Sequence, residues 1–317
     1  MIEAIPLAIR ATGVGVLLAL ITASIVVARL KAKHPETNYT ELASRVATWW
    51  KMCGIFFLAL TVSRAVSIIF FAFLSFLALK EYLSLIPTRR ADRRVLAWAY
   101  LSIPFQYLWV WIEWYGMFII FIPVYVFLFL PLRMVTIGET AGFLKAAGTI
   151  HWGLMITVFS ISHIAFLLVL PNTAPATAAT ATVFGAGLVL YLVILTELND
   201  VAQYVWGKSF GERKILPTVS PNKTVAGFLG GLGTTALLGL ALAPLLTPLT
   251  ILEGLGAGIL IGASGFVGDV TISAMKRDLG IKDTGGILPG HGGILDRVDS
   301  LTYTAPLFFH FIRYFHY

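Results

Sequence analysis

The stretch from Gly268 to Asp299 mixes glycine with charge of both signs. Asp269 and Ser273 are four residues apart, so they share one face of a helix. Lys276 and Arg277 follow on the next turn. A glycine-rich run comes next, with Gly280, Gly285, Gly286, Gly290, Gly292 and Gly293. Glycines let backbone approach a ligand closely and adopt positive φ. Lys282, His291 and Arg297 alternate there with Asp283, Asp296 and Asp299. Such a set suits a metal–phosphate site. Mg2+ takes one or two carboxylates and fills its shell with water and phosphate oxygens, while Lys and Arg neutralise the remaining phosphate charge. A second polar stretch, Thr196 to Gly227, adds Asp200 and Lys223 as candidate substrate contacts.

Composition decides what must position these residues. Of the 317 residues, 58% are hydrophobic and 12% are charged. A soluble domain carries about 25% charged residues, so an integral membrane protein is expected. The net charge of +7 sits between apolar runs, the pattern of cytoplasmic loops and not of a nucleic-acid surface. The single cysteine, Cys53, lies in an apolar run and excludes a disulfide framework or a Cys-rich metal site. His151, His163 and His310 stand apart in apolar context, which argues against a histidine metal cluster.

A spanning helix needs about 20 apolar residues. Runs of that kind lie near 11–28, 95–112, 116–134, 152–170, 179–198, 225–247, 251–272 and 300–316. The segment 49–79 is too long for one span and short for two, with Arg64 at its middle. It reads as a tight helical hairpin, or as a tilted helix followed by a span. The fold expected is all-α and polytopic, with about 8–10 transmembrane helices. The whole chain, 1–317, reads as a single transmembrane domain, with N-terminal helices in 1–180 and the chemistry in 190–317. Five basic segments, around Lys31, Arg90, Arg133, Lys214 and Lys276, share one side if 49–79 crosses twice, which puts both termini outside. If it crosses once, the N-terminus lies inside.

The polar stretches also carry a resemblance. Ser273-x-Met275-Lys276-Arg277, Lys282-Asp283, Gly285, Leu288-Pro289, His291-Gly292-Gly293-Ile294 and Asp296-Arg297-Val298-Asp299 resemble the C-terminal pattern of the phosphatidate cytidylyltransferase family. Asp200, Tyr204, Gly207, Phe210-Gly211, Pro217, Ser220-Pro221 and Lys223-Thr224 resemble its preceding segment. The resemblance covers about residues 190–317. It implies transfer of CMP from CTP to phosphatidic acid, giving CDP-diacylglycerol and pyrophosphate, in phospholipid biosynthesis. It implies Asp269, Asp296, Lys276 and Arg277 as catalytic residues, and Mg2+ on Asp269, Asp296 and Asp299, with a second cation such as K+ as an option. Asp200, Lys223, Ser273, Lys282, Asp283, His291 and Arg297 become the substrate contacts.

Three departures point to a divergent branch. Ala226 and Ile272 stand where the family usually has Glu, and Asn199-Asp200-Val201-Ala202-Gln203 replaces a more usual Asp-Thr-Gly-Ala. Another lipid phosphate is therefore a second reading of the acceptor. A more distant one is a transporter of an anionic solute, although charges pooled at one face speak against it. The expected setting is a bacterial inner membrane with the site facing the cytoplasm, no nucleic-acid partner, and assembly as a homodimer as an option.

Overall fold

The computed structural model describes residues 7–170, 184–286 and 292–317. Among these residues the named elements are all helices, and an isolated β-bridge pairs Lys214 with Thr224. The helices are α1 (Leu7–Lys33), α2 (Thr40–Val62), α3 (Arg64–Leu85) and α4 (Arg93–Trp111). Next come α5 (Tyr115–Val135) and α6 (Phe143–Leu167), each with one wide π-helical stretch. Then follow α7 (Phe184–Phe210), α8 (Val225–Leu246), α9 (Ile251–Asp278), the single turn α10 (Leu295–Val298) and α11 (Leu301–His316). Eight of them, α1–α3 and α5–α9, are long and apolar enough to cross a membrane. The protein is thus an all-α polytopic membrane protein.

The helix α11 has 16 residues. That makes it about 24 Å long, short of a hydrocarbon core of about 30 Å. The ambiguous segment 49–79 resolves into two helices broken at Ser63, whose backbone is extended. The Ser63 hydroxyl accepts from Val66 N at 3.2 Å and starts α3, while Ser67 Oγ reaches back to Ala59 O at 2.9 Å. Arg64 sits at this break and pairs with Glu113 Oε1 at 2.5 Å.

Contacts between helix ends fix their alternation. Glu81, near the end of α3, meets Ile294 and Leu295. Arg89 reaches the carbonyls of Glu139 and Ala141, between α5 and α6. Arg277, at the end of α9, meets Val219 O between α7 and α8. All these segments therefore gather at one end of the bundle, and they carry the basic residues. The opposite end holds the Arg64–Glu113 pair and the His316–Glu253 contact.

Close packing positions the second half. Among α7, α8 and α9 the seams are made by glycine, which lets backbones approach. A Cβ at Gly258 would lie 2.6 Å from Thr235 O and 2.8 Å from Ala236 Cα. Asn199 ties the three helices, donating to Gly262 O at 3.3 Å and accepting from Thr235 Oγ1 at 3.0 Å. Thr196 Oγ1 meets Thr304 Oγ1 at 3.1 Å and joins α7 to α11. Large apolar side chains on α1, such as Leu18, Ile21 and Val26, point outward, as a lipid-facing surface requires.

One expectation needs correcting. The run expected at 179–198 continues as helix to Phe210, so Asp200 stands on a helix and not in a loop. Val201, Tyr204, Val205 and Trp206 extend the apolar surface past the polar Asn199-Asp200 pair, so polarity alone does not end the helix.

Candidate active site

At the basic end of the bundle a cleft of ≈ 1290 Å³ opens between α2, α7, the start of α8, the end of α9 and the stretches 282–286 and 292–299. Helix α9 carries Asp269 and, two turns on, Lys276 to its wall. The Thr224 side chain caps α8 through Gly227 N at 3.1 Å, which fixes Lys223 just before the cap. The turn α10 presents Asp296 and Arg297, and Asp299 follows.

Of the residues singled out from sequence, Asp200, Lys223, Asp269, Lys276, Lys282, Asp283, Asp296, Arg297 and Asp299 all line this cleft. Ser273 is buried beneath Asp269, 3.3 Å from its Oδ1. Arg277 is not among the lining residues. Its guanidinium braces the two polar loops, with Nε 3.2 Å from Val219 O and Nη1 3.4 Å from Ile281 O. His291 lies outside the described residues, as does the Leu288-Pro289 part of the motif.

The carboxylates fall into two groups. Asp200, Asp269 and Asp299 form one. Lys223 Nζ bridges Asp269 Oδ2 at 2.5 Å and Gln203 Oε1 at 3.0 Å. Asp200 Oδ2 accepts from Ser300 Oγ at 2.9 Å, while its Oδ1 is buried without a partner. Asp299 accepts from Ser300 N at 2.8 Å. Burial, followed by the charges of Asp269 and Asp200, pushes the Asp299 carboxyl well above the usual carboxylate range.

Asp296 anchors the other group. Its Oδ1 accepts from Lys276 Nζ at 2.8 Å. Its Oδ2 accepts from Thr284 N at 2.8 Å, Thr284 Oγ1 at 2.9 Å and Gly293 N at 3.0 Å. Burial alone would raise its pKa, but the hydrogen bonds from Lys276, Gly293 and Thr284 outweigh it and hold the carboxyl below its ordinary value. Gly292, at φ +80°, permits this turn. A Cβ there would be strained and would lie 2.7 Å from Asp296 Oδ2.

The donor chemistry fits a hard divalent cation. Carboxylate oxygens predominate among the acceptors, and the orphaned Asp200 Oδ1 is a buried acceptor with nothing to satisfy it. Among the described residues, no three His, Cys, Asp or Glu side chains converge to hold an ion by themselves. An ion here would draw on one or two carboxylates and complete its shell from water and phosphate, as Mg2+ commonly does.

Several lining residues carry no motif signal. Glu197 lies one turn before Asp200, and its place on the same α7 face follows from helical spacing once α7 is known to continue. Gln203 follows from the same spacing. Glu41, Leu42, Arg45, Val46 and Trp49 form the α2 wall. Nothing in the sequence brings α2 next to α7.

An α-helical membrane protein that pools carboxylates and lysines in a cleft at one end of its bundle is equipped for an anionic, phosphate-bearing substrate at the membrane surface. The chain belongs to the cytidylyltransferase family, whose sequence profile matches residues 43–315. It is a nucleotidyltransferase. It is similar to the uncharacterized protein YnbB of Escherichia coli (strain K12), 47% identical over 295 residues, or 93% of this chain and 95% of that one. It is also similar to the phosphatidate cytidylyltransferase of Staphylococcus aureus (strain COL), 40% identical over 124 residues, covering 39% of this chain and 48% of that protein. The phosphatidate cytidylyltransferase of a Synechocystis species is 46% identical over 114 residues, 36% of this chain and 39% of that protein.

Proposed function

We propose that the chain transfers the cytidylyl group of CTP to phosphatidate, forming CDP-diacylglycerol and pyrophosphate. The observation that carries this reading is the cleft. It joins Lys223, Lys276, Lys282 and Arg297 to the carboxylates Asp200, Asp269 and Asp299, and it opens beside apolar residues of α2 and α7. Phosphatidate is an anion on two acyl chains, so a site for it needs cations next to an apolar approach.

An oxygen of the lipid phosphate attacks the α-phosphorus of CTP. The bond from that phosphorus to the β-phosphate oxygen breaks, and pyrophosphate leaves with the electron pair. The nucleophile is already an anion, so the residues need to align and neutralise more than to abstract a proton. Lys223, held by Asp269 and Gln203, and Lys276, held by Asp296, present fixed ammonium groups to the phosphates. Lys282 and Arg297 add charge from the flanking loop. Asp269 and Asp299 would hold Mg2+. Asp296, expected as a third ligand, has both oxygens engaged by Lys276, Thr284 and Gly293 and would instead set Lys276 beside the ion. A second cation such as K+ would fit the same acidic surroundings. When bound, Mg2+ neutralises charge on the triphosphate and on the departing pyrophosphate.

The basic end of the bundle then faces the cytoplasm, where CTP is, in a bacterial inner membrane. Assembly as a homodimer belongs to the same reading, and light scattering of the solubilised protein checks it. Another lipid phosphate is the second reading, favoured by Ala226 and Ile272 where the resemblance leads one to expect Glu. Family membership sets the chain with enzymes and not with carriers of anionic solutes. The purified protein in detergent should release pyrophosphate from CTP only when a lipid phosphate is added. Phosphatidate should be the best acceptor of a panel that includes isoprenoid phosphates. A different best acceptor selects the second reading, and no release with any of them rejects both.

A further inference from the structure

We infer that Glu81, on α3, is a positioning residue for the transfer site, setting Asp296 and Lys276 in place through the loop that carries Thr284 and residues 293–295. This rests on the cytidylyl-transfer reading given above.

Glu81 follows the exposed Lys80 near the end of α3, but its own side chain turns inward among Leu79, Tyr82 and Leu83 and is 6% exposed. Burying a carboxylate is costly unless hydrogen bonds replace its water. Here they come from the far end of the chain. Oε1 accepts from Thr284 Oγ1 at 2.5 Å and from Leu295 N at 2.9 Å, and Oε2 accepts from Ile294 N at 2.9 Å. The two amides belong to the entry of α10, where backbone N–H groups lack helical partners.

The same Thr284 hydroxyl lies 2.9 Å from Asp296 Oδ2, and Asp296 Oδ1 holds Lys276. A continuous path thus runs Glu81, Thr284, Asp296, Lys276. The hydroxyl has one proton to place between two carboxylates, so Glu81 and Asp296 constrain one another through it. Glycines make room for the arrangement. A Cβ at Gly285 would lie 2.9 Å from Glu81 Oε2, and one at Gly293 would collide with Oε1. Gly285 and Gly293 are therefore glycine at least partly because a carboxylate occupies the space beside them.

Glu81 is not among the residues lining the cleft. It acts through others, so it is not a catalytic residue. Its effect belongs on the chemical step, where the Lys276 ammonium must be correctly aimed, and less on binding of CTP, which Lys223, Lys282 and Arg297 also hold.

Glu81→Gln tests this, because it keeps shape but turns an amide N–H2 toward amide donors. In the full-length protein, hydrogen exchange of the amides of Thr284, Gly293, Ile294 and Leu295 should speed up about tenfold or more, with α8 and α9 unchanged. The kcat for cytidylyl transfer should fall by about tenfold to a hundredfold, while KM for CTP moves less than about threefold. Thr284→Val should reproduce this loss, Thr284→Ser should restore it, and the Glu81→Gln/Thr284→Val pair should be no worse than Glu81→Gln alone. A folded Glu81→Gln protein with kcat within about twofold of wild type overturns the proposal. So does a variant whose exchange rises throughout the bundle, which would make Glu81 a general stability residue. If the wild-type protein transfers no cytidylyl group at all, the functional reading fails, and the exchange arm alone then decides whether Glu81 orders the loop.

Discussion

Asp296 and Asp299 are three residues apart on consecutive turns, yet they live in opposite chemical surroundings. Asp296 belongs to a lock in which every carboxylate oxygen has a donor: Lys276, the Thr284 amide and hydroxyl, and the Gly293 amide. Asp299 belongs to a cluster with Asp200 and Asp269 in which donors are scarce and one buried oxygen, Asp200 Oδ1, has no partner. The two surroundings shift the carboxyl pKa values in opposite directions. The lock holds Asp296 below the ordinary carboxylate range, because its hydrogen bonds outweigh burial. Burial, then the charges of Asp269 and Asp200, drives Asp299 well above it. A saturated carboxylate builds the loop. A starved cluster is short of positive charge, as a site that receives cations and cationic side chains around a triphosphate should be.

Removing one carboxylate from each region should separate the two most sharply. Asp296→Ala should lose both fold and activity, because it leaves Lys276, whose side chain is 12% exposed, without its partner. Removing one member of such a buried pair costs about 3–5 kcal/mol. Asp269→Asn should lose only activity, by about a hundredfold or more, since several kcal/mol of charge stabilisation at the phosphates disappear. Its melting temperature should stay within a few degrees of wild type, the scale expected for a change under about 1 kcal/mol. Thermal unfolding and pyrophosphate release on the same preparations check both arms. Equal destabilisation by the two variants would erase the distinction between lock and cluster.

Much of the cluster is legible in the amino-acid sequence, and the reason is local. Asp269, Ser273 and Lys276 obey helical spacing, and the charged glycine-rich run from Lys282 to Asp299 stands out against apolar spans. The spans themselves follow from hydropathy, and Arg64 marks the break that separates α2 from α3. What is not legible depends on long-range packing. Glu81 is 203 residues from Thr284, and its neighbours are mostly apolar, so nothing nearby reveals its partner. Polarity at Asn199 and Asp200 suggests a loop. The helix instead continues, because Asn199 satisfies its amide against Gly262 and Thr235 of neighbouring helices. The role of Arg277 likewise depends on which loop lies beside it, here that of Val219.

Stability should depend on pH through the two carboxylates with opposite sign. Asp299 has a raised folded-state pKa, so the native protein binds its proton more tightly than the unfolded chain does. Its contribution to stability is present below the unfolded carboxylate pKa and is lost as pH rises through the folded value. Asp299→Asn removes that loss and should raise the melting temperature, with a gain that grows from about pH 5 toward about pH 8. Asp296 has the opposite sign. Its lowered pKa makes a contribution that is present above the unfolded value and is lost as pH falls through the folded one. Unfolding in metal-free detergent across that range checks the slope. A gain for Asp299→Asn that shrinks as pH rises would contradict the assignment of Asp299 to the donor-poor cluster.

The smallest expected effect concerns the two positions where the resemblance leads one to expect Glu. They are not equivalent in the structure. Ile272 is fully buried in α9, so Ile272→Glu would place a carboxylate in the core and should destabilise the protein whatever it does to chemistry. Ala226 is half-buried and is the second residue of α8, whose cap is Thr224. A glutamate in a first helical turn is favoured by about 0.3–1 kcal/mol, so Ala226→Glu should fold as well as the wild type. It would stand near Lys223 and compete with Asp269 for that ammonium. The added side chain changes the space and charge beside Lys223. Because the two acceptors carry the same monoester phosphate on differently shaped apolar parts, it should shift relative turnover between phosphatidate and isoprenoid phosphates by about threefold with little change in KM for CTP. Side-by-side turnover on both acceptors measures this. An unchanged ratio in a stable Ala226→Glu protein would show that Ala226 does not contribute to acceptor choice, and that the divergence of this branch lies elsewhere in the cleft, the α2 wall of Leu42, Arg45 and Trp49 being the next place to look.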